Sequence, residues 1–330
     1  MLHHRPLTPI KAPFPWYGGK SAVAHHVWAA LGDVPNYVEP FFGSGAVFLS
    51  RPHPHRTATI NDADGYVANF WRALAADPGA VARMADWPVS ENDLHARHLW
   101  LVARKDALRE TLEADPNHYD PHLAAWWVWG LCCWIGSGWC AGDGPWRAID
   151  GRLQKTEGDA GMGIHRKLPH LGDAGMGIHR QLPHLGDYFQ ALGQRLAAAR
   201  VCCGDWSRVV GSSVTVKHGL TGIFFDPPYS HAERYADLYA TETDCAAEVS
   251  AWCLANGDHP LLRVVLAGYT GEHDALAAAG WKALNWKARG GYGSQGQGAG
   301  RANAAREVLW FSPHCLTVRR QESLLGFAHA

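Results

Sequence analysis

The run Gly222-Ile223-Phe224-Phe225-Asp226-Pro227-Pro228-Tyr229 constrains this chain more than any other. Its apolar and aromatic residues stop at an acid followed by two prolines. That pattern fits a short buried strand at the centre of a parallel sheet better than a helix. Pro227 pushes Asp226 towards an extended backbone, and neither proline can donate to a sheet ladder. The strand therefore delivers a carboxylate, a free carbonyl and an aromatic ring together at its carboxyl end, where open α/β sheets bind their ligands. Such a set suits an amino group on a flat ring.

Two upstream stretches share this plan. Tyr37-Val38-Glu39-Pro40-Phe41-Phe42-Gly43-Ser44-Gly45 reads as a strand closed by an acid, then a glycine turn into the helix start Ala46-Val47-Phe48-Leu49. Glycines let a ligand approach the backbone closely, and a helix start offers free N–H groups. A dinucleotide site wants a third glycine and sets pyrophosphate on the helix. Here that glycine is missing, and an acid before the turn suits a ligand bearing an ammonium group. Thr57-Ala58-Thr59-Ile60 reads as a second strand, ending at Asn61-Asp62-Ala63-Asp64 before a helix over Gly65 to Ala76. Asp62 stands about 20 residues beyond the glycine turn, where nucleoside-binding α/β folds place an acid on the ribose hydroxyls. Helix capping is the other role open to Asp62 or Asp64.

Pro13-Phe14-Pro15-Trp16-Tyr17-Gly18-Gly19-Lys20 forms an extended entry and a tight turn before a helix over Ser21 to Leu31, with Gly32 as its stop. Trp16 and Tyr17 offer a pocket wall and Lys20 a charge, although core packing is the commoner role of such an aromatic pair. Further on, a helix over Tyr188 to Ala199 precedes the strand Arg200-Val201-Cys202-Cys203 and the pair Asp205-Trp206. An acid beside a ring suits a purine's amino group and face, with a helix cap at Asp205 as the alternative. A helix about Asp244 to Ala255, the strand Leu261 to Gly268, a helix about Glu272 to Ala279, the segment Trp281 to Trp286 and the strand Arg306 to Phe311 continue the alternation. Alternating strands and helices argue for a parallel sheet.

The middle of the chain is different. Ala80 to about Leu112 carries a helical pattern that Asp115-Pro116-Asn117 breaks. Six of the 16 tryptophans cluster between Trp126 and Trp146, where buried packing is favoured over base stacking. Asp159 to Gly172 recurs as Asp173 to Gly186 with Lys167 replaced by Gln181. A repeat this short is not one of the usual solenoid units, and it reads as a duplicated surface loop. The eight cysteines show no paired zinc-finger spacing and read as buried free thiols, so no metal is expected. A net charge of -1 gives no global pull on nucleic acid. Any such binding must rest on local groups: Lys282, Lys287, Arg289, Arg301 and Arg306, or Arg152, Lys155, Arg166, Lys167 and Arg180. No apolar run approaches the roughly 18 residues of a membrane span, and the start lacks a secretory core, so a cytoplasmic protein is expected.

Taken together, Trp16-Tyr17-Gly18-Gly19-Lys20, Glu39-Pro40-Phe41-Phe42-Gly43-Ser44-Gly45, Asn61-Asp62, Asp226-Pro227-Pro228-Tyr229 and Arg306-Glu307-Val308-Leu309-Trp310 resemble, in order, the Dam-type (D12 class) DNA adenine-N6 methyltransferases, phage members included. The resemblance implies a Rossmann-like α/β fold, a mixed seven-stranded sheet with one antiparallel strand near an edge. It implies a catalytic domain over 13–78 and 187–312, a target-recognition region over 79–186, and tails at 1–12 and 313–330. It also implies S-adenosylmethionine across the strand ends. Trp16, Tyr17, Gly18, Gly19 and Lys20 would line its methionine side, and Glu39 would face its amino group. Pro40, Phe41, Gly43 and Gly45 would form the turn beneath it, Asp62 would take the ribose and Asp205 the adenine amine. Asp226 and the Pro227 carbonyl would accept the two hydrogens of a flipped adenine's amine, with Pro228 and Tyr229 completing the catalytic set and Tyr229 stacking on the base. Double-stranded DNA is the implied partner, and a monomer the default.

Two departures put the recognition sequence in doubt. Pro15 stands where members that read GATC carry lysine, and the middle region lacks an obvious match. In that region Arg166, Lys167, Arg180 and their histidines make a DNA-facing arm the alternative to a plain surface insertion. An N4-cytosine methyltransferase, needing the same amine clamp, and a catalytically silent DNA-binding relative are the competing readings.

Overall fold

Runs of apolar residues two or more strands deep need cover on both faces, and here they receive it from helices on both sides of one sheet. The computed structural model describes residues 7–16, 18–54, 56–134, 139–140, 146–149, 152–155, 185–228, 245–286 and 307–317. Its strands are β1 (Asn36–Glu39), β2 (Thr57–Asp62), β3 (Trp146–Ile149), β4 (Arg152–Lys155), β5 (Ala199–Cys203), β6 (Thr221–Phe225), β7 (Leu262–Tyr269), β8 (Lys282–Asn285) and β9 (Glu307–Phe311). Its helices are α1 (Ala24–Leu31), α2 (Ala46–Leu49), α3 (Gly65–Ala76), α4 (Pro78–Ala85), α5 (Glu91–Val102), α6 (Lys105–Ala114), α7 (Pro121–Cys133), α8 (Leu185–Leu196), α9 (Cys245–Asn256) and α10 (Ala275–Ala278).

Seven strands form one sheet in the order β5-β2-β1-β6-β7-β9-β8, and β3 pairs with β4 in a separate ladder. Strands β5, β2, β1, β6 and β7 run parallel, while β9 runs antiparallel to both β7 and β8. This is the mixed seven-stranded α/β sheet expected from the sequence, with its one reversed strand next to an edge.

Side-chain alternation divides the core between the two faces. Phe224, Val265, Ala267, Leu309 and Phe311 join α1 and α3 residues in one cluster. Ile223, Phe225, Val264, Leu266, Val308 and Trp310 join Val249 and Cys253 of α9 in the other. Every residue of β6 is buried, as its sequence predicts.

Several boundaries differ from expectation, each for a local reason. The helical pattern over Ala80 to Leu112 is three helices, not one. Asp77 caps α4 through the Ala80 N–H, Ser90 caps α5 through the Asp93 N–H, and Pro88 interrupts the chain between them. Strand β2 runs on to Asp62 because Asn61 and Asp62 pair with Cys202 and Cys203 of β5. Helix α10 is a single turn rather than the expected Glu272 to Ala279. Gly271 and Gly280, at φ 91° and 81°, bracket that segment.

The tryptophan segment is packing, as expected. Trp127, Trp129 and Trp134 are buried. Trp127 meets Phe14 at 5.1 Å, while Trp129 faces the opposite side of α7, where the Arg97 guanidinium lies 4.2 Å from its ring centroid. All eight cysteines are free thiols, five of them buried. The repeated segment lies outside the described residues up to 184. Leu185 and Gly186 begin α8, earlier than the expected start at Tyr188. Among the described residues no helix is long and apolar enough to cross a membrane, and no cluster is arranged to hold a metal ion.

Candidate active site at the carboxyl end of the sheet

The strand order reverses between β1 and β6. Chain leaving β1 goes to β2 on one side, and β6 enters on the other. Such a reversal opens a crevice at the carboxyl ends of the two strands. Pairing of β1 with β6 is recorded up to Val38 against Ile223, so Glu39 and Asp226 emerge at this crevice.

Glu39 is only 2% exposed. Its Oε2 accepts the Tyr37 hydroxyl at 2.8 Å. Burial holds its carboxyl well above the usual carboxylate range, partly offset by the Tyr37 hydrogen bond, reinforced by the charge of Asp226 and opposed by the Phe48 N–H. Among the described residues no cation pairs with it. A buried carboxyl with no counter-charge is costly unless a cation arrives.

The glycine turn beside it is fixed from two directions. The Gly43 N–H donates to Asp62 Oδ2 at 2.8 Å, and Trp71 Nε1 donates to the Gly43 carbonyl at 2.9 Å. Gly43 and Gly45 adopt φ of 48° and 68°, a region that favours glycine. A Cβ at Gly43 would collide with the Trp16 indole, so Trp16 roofs the turn. Gly43→Ala is therefore expected to cost about 1–3 kcal/mol of stability and to weaken cofactor binding. Thermal denaturation and a cofactor titration check both.

Asp62 is half-buried at the end of β2, and its Oδ1 also accepts the Asp64 N–H at 2.9 Å. Burial, reinforced by the charge of Asp64, pushes its carboxyl up to about 7 against three backbone hydrogen bonds. Asp64, not Asp62, caps α3, through the Tyr66 N–H. Asn61 donates to the Pro40 and Gly204 carbonyls, tying the ends of β1 and β5 together. Asp205 is exposed and caps the short 3-10 turn Trp206–Val209 through the Ser207 N–H. Phe41, Trp206 and Phe225 stand together, with Phe41 6.2 Å from Trp206.

Asp226 lies just past β6 with its side chain 23% exposed, and Lys20 Nζ stands 3.0 Å from its Oδ1. Pro227 is buried and Pro228 half-buried. Lys20 thus sits on the acid of the β6 end, a partner that its place after the Gly18-Gly19 turn does not reveal. Glu307, at the start of β9, is 3.7 Å from the same ammonium and was not among the expected site residues. Gly18 accepts from Lys20 Nζ at 2.7 Å, and the Gly19 N–H closes the turn onto the Trp16 carbonyl. Tyr17 and Tyr229 lie outside the described residues, as do Lys287, Arg289, Arg301 and Arg306 and the repeat's Arg166, Lys167 and Arg180. Trp71 carries no signal of the site in the sequence, while Asn61 and Glu307 stand in the quoted motif blocks without a role of their own. For Glu307 the signals were its place in the block Arg306-Glu307-Val308-Leu309-Trp310 and at the head of the last strand.

Four acids (Glu39, Asp62, Asp226 and Glu307) and one lysine converge on the end of an α/β sheet with a glycine turn. The mixed seven-stranded sheet is consistent with a Rossmann-like methyltransferase fold, and this charge pattern suits a ligand that carries positive charge. Residues 16–115 match the model of the D12 class N6 adenine-specific DNA methyltransferase family. The chain is accordingly a DNA adenine-N6 methyltransferase that uses S-adenosylmethionine. No curated protein matches the chain. The matched span holds β1, the glycine turn and β2 but stops before β6, so Asp226 joins the site through the sheet topology.

Proposed function

We propose that Asp226 and the Pro227 carbonyl clamp the amino group of an adenine turned out of duplex DNA, and that Glu39, Asp62 and the glycine turn hold the methyl donor. The observation that carries this reading is the meeting of Glu39 and Asp226 across the β1–β6 reversal. S-adenosylmethionine supplies an activated methyl group on a sulfonium. The buried, uncompensated Glu39 carboxyl fits its ammonium, and the Trp16-roofed turn leaves room only for backbone beneath it.

The protein's task is to make a poor nucleophile better. The amino lone pair of adenine is delocalised into the ring. Accepting both amino hydrogens favours a tetrahedral nitrogen, and acceptors placed for that geometry help more in the transition state than in the flat ground state. Turning the base out of the stack costs a few kcal/mol, and a ring stacked on it by Tyr229 would offset part of that cost. No covalent intermediate on the enzyme is required.

Asp62 gives this reading a pH signature. Two ribose hydroxyls need two carboxylate acceptors, and protonation removes one of them. With the free-enzyme carboxyl at about 7, donor affinity should be flat above that pH and weaken by roughly tenfold at pH 6. Isothermal titration across pH 6 to 8.5 measures it. A smaller loss of affinity on acidification in Asp62→Asn than in the parent enzyme assigns that share of the effect to this residue, the remainder belonging to Glu39, whose carboxyl burial also raises.

Residues 79–186 supply target recognition in this reading. Within them, Arg83, Arg97, Trp87, Trp100, Trp126 and His122 line an open cavity of about 500 Å³ between α4, α5 and α7. Its aromatic rings and Arg83 suit nucleic acid, while Arg97 lies over the Trp87, Trp126 and Trp129 rings and Asp93 also lines the cavity. One chain carries both the donor clamp and the target clamp, which supports action as a monomer. The experiment that tests the proposal is a labelled-methyl assay on mixed-sequence duplex DNA with the parent enzyme and Asp226→Ala. Wild-type turnover by the variant would overturn it.

A further inference from the structure

We infer that Lys20 works on the target side of the site, as the residue that positions Asp226, and that Glu307 of β9 seats Lys20 for this task. The inference rests on the assignment of Asp226 as an acceptor for the target amine. Lys20 is 3% exposed. Its ammonium lies 3.0 Å from Asp226 Oδ1, 3.7 Å from Glu307 Oε2 and 2.7 Å from the Gly18 carbonyl.

These three oxygens come from separate parts of the chain. Gly18 belongs to the entry turn, Asp226 follows β6, and Glu307 opens β9. The sheet brings the last two together, because β7 pairs with β6 on one side and with β9 on the other, with Glu307 opposite Tyr269. Both acids are thus anchored to the sheet, and Lys20 is held between them at the end of a short turn.

Two consequences follow. A lysine on Oδ1 fixes the rotation of the Asp226 carboxylate, which must meet an amino hydrogen with good alignment to help the reaction. The cation also offsets repulsion among Asp226, Glu39 and Glu307. Three acids gathered without a cation favour protonation of one of them, and a protonated Asp226 has lost an acceptor. Glu307 adds a second anion to Lys20, so the ammonium stays seated when a base enters and Asp226 becomes shared.

The test measures kcat, KM for DNA and Kd for S-adenosylmethionine in the full-length enzyme carrying Lys20→Met, Lys20→Arg, Glu307→Gln or Asp226→Asn. Lys20→Met is expected to lower kcat by about 100-fold with donor Kd within about threefold, and Lys20→Arg to recover part of kcat. Glu307→Gln, which keeps the shape and removes the charge, is expected to lower kcat by about five- to tenfold. A donor Kd raised at least about tenfold with kcat retained in Lys20→Met would return Lys20 to the cofactor side and overturn the inference. Should Lys20→Met fail to fold, wild-type kcat in both Lys20→Arg and Glu307→Gln overturns it equally. Asp226→Asn separates the two levels. If it keeps full kcat, the assignment of Asp226 fails. If it is inactive while the Lys20 and Glu307 variants are normal, only this inference fails.

Discussion

Replacing Asp226 by alanine is expected to lower methyl transfer to DNA by about 1,000-fold or more, with S-adenosylmethionine affinity changed by no more than about threefold. The carboxylate sits at the end of a fully buried strand, 3.0 Å from a buried lysine, and on the opposite side of the reversal from the glycine turn. Its loss removes an acceptor for the reacting amine without disturbing Asp62 or Gly43. Stability should also fall, because among the described residues Lys20 would keep only Glu307, at 3.7 Å, as an acid partner. Breaking a buried pair by removing one partner costs about 3–5 kcal/mol, and Asp226's partial exposure puts this case lower, at about 1–3 kcal/mol. Asp226→Asn keeps the shape and is the better probe of chemistry. Single-turnover rates and donor titrations on both variants distinguish lost chemistry from lost fold.

The second large effect belongs to Glu39. Glu39→Gln is expected to weaken S-adenosylmethionine binding by about 100-fold while leaving the free protein as stable as the parent or slightly more so. Burial raises the Glu39 carboxyl well above its unfolded value. In the free enzyme that shift costs stability in full at pH above the folded-state value, and the cost shrinks as the pH falls below it and is gone at the unfolded value. A neutral glutamine avoids the cost and keeps an acceptor for the Tyr37 hydroxyl, but it has no charge to offer an ammonium. Donor at about 100 times its Kd should stabilise the parent by about 2.7 kcal/mol. The same donor concentration should barely shift the melting temperature of Glu39→Gln, whose unliganded melting temperature should match the parent's.

Much of this architecture was legible because the signals are local. The helix read over Gly65 to Ala76 matches α3, since Asp64 caps it and Ala76 precedes an Asp-Pro break at Asp77 and Pro78. The buried strand before Asp226 followed from its apolar run and the two prolines. The glycine turn followed from residues that only a positive φ explains. What stayed hidden depends on distant pairing. Nothing near Ile60 says that the strand continues to Asp62, because the reason is Cys202 and Cys203 some 140 residues away. The resemblance sets Lys20 beside the donor's methionine and names no partner for it within the chain. Its partners, Asp226 and Glu307, are neighbours only once β7 lies between β6 and β9. The three helices between Pro78 and Ala114 read as one pattern because caps such as Ser90 are weak signals inside a helical composition.

The most direct measurement is digestion of duplex DNA treated with the enzyme and isotopically labelled S-adenosylmethionine, followed by mass spectrometry of the nucleosides. The account predicts label on N6-methyladenine, and none above background when Asp226→Asn replaces the parent enzyme. Label on N4-methylcytosine, or N6-methyladenine formed at the parent rate by Asp226→Asn, would contradict it.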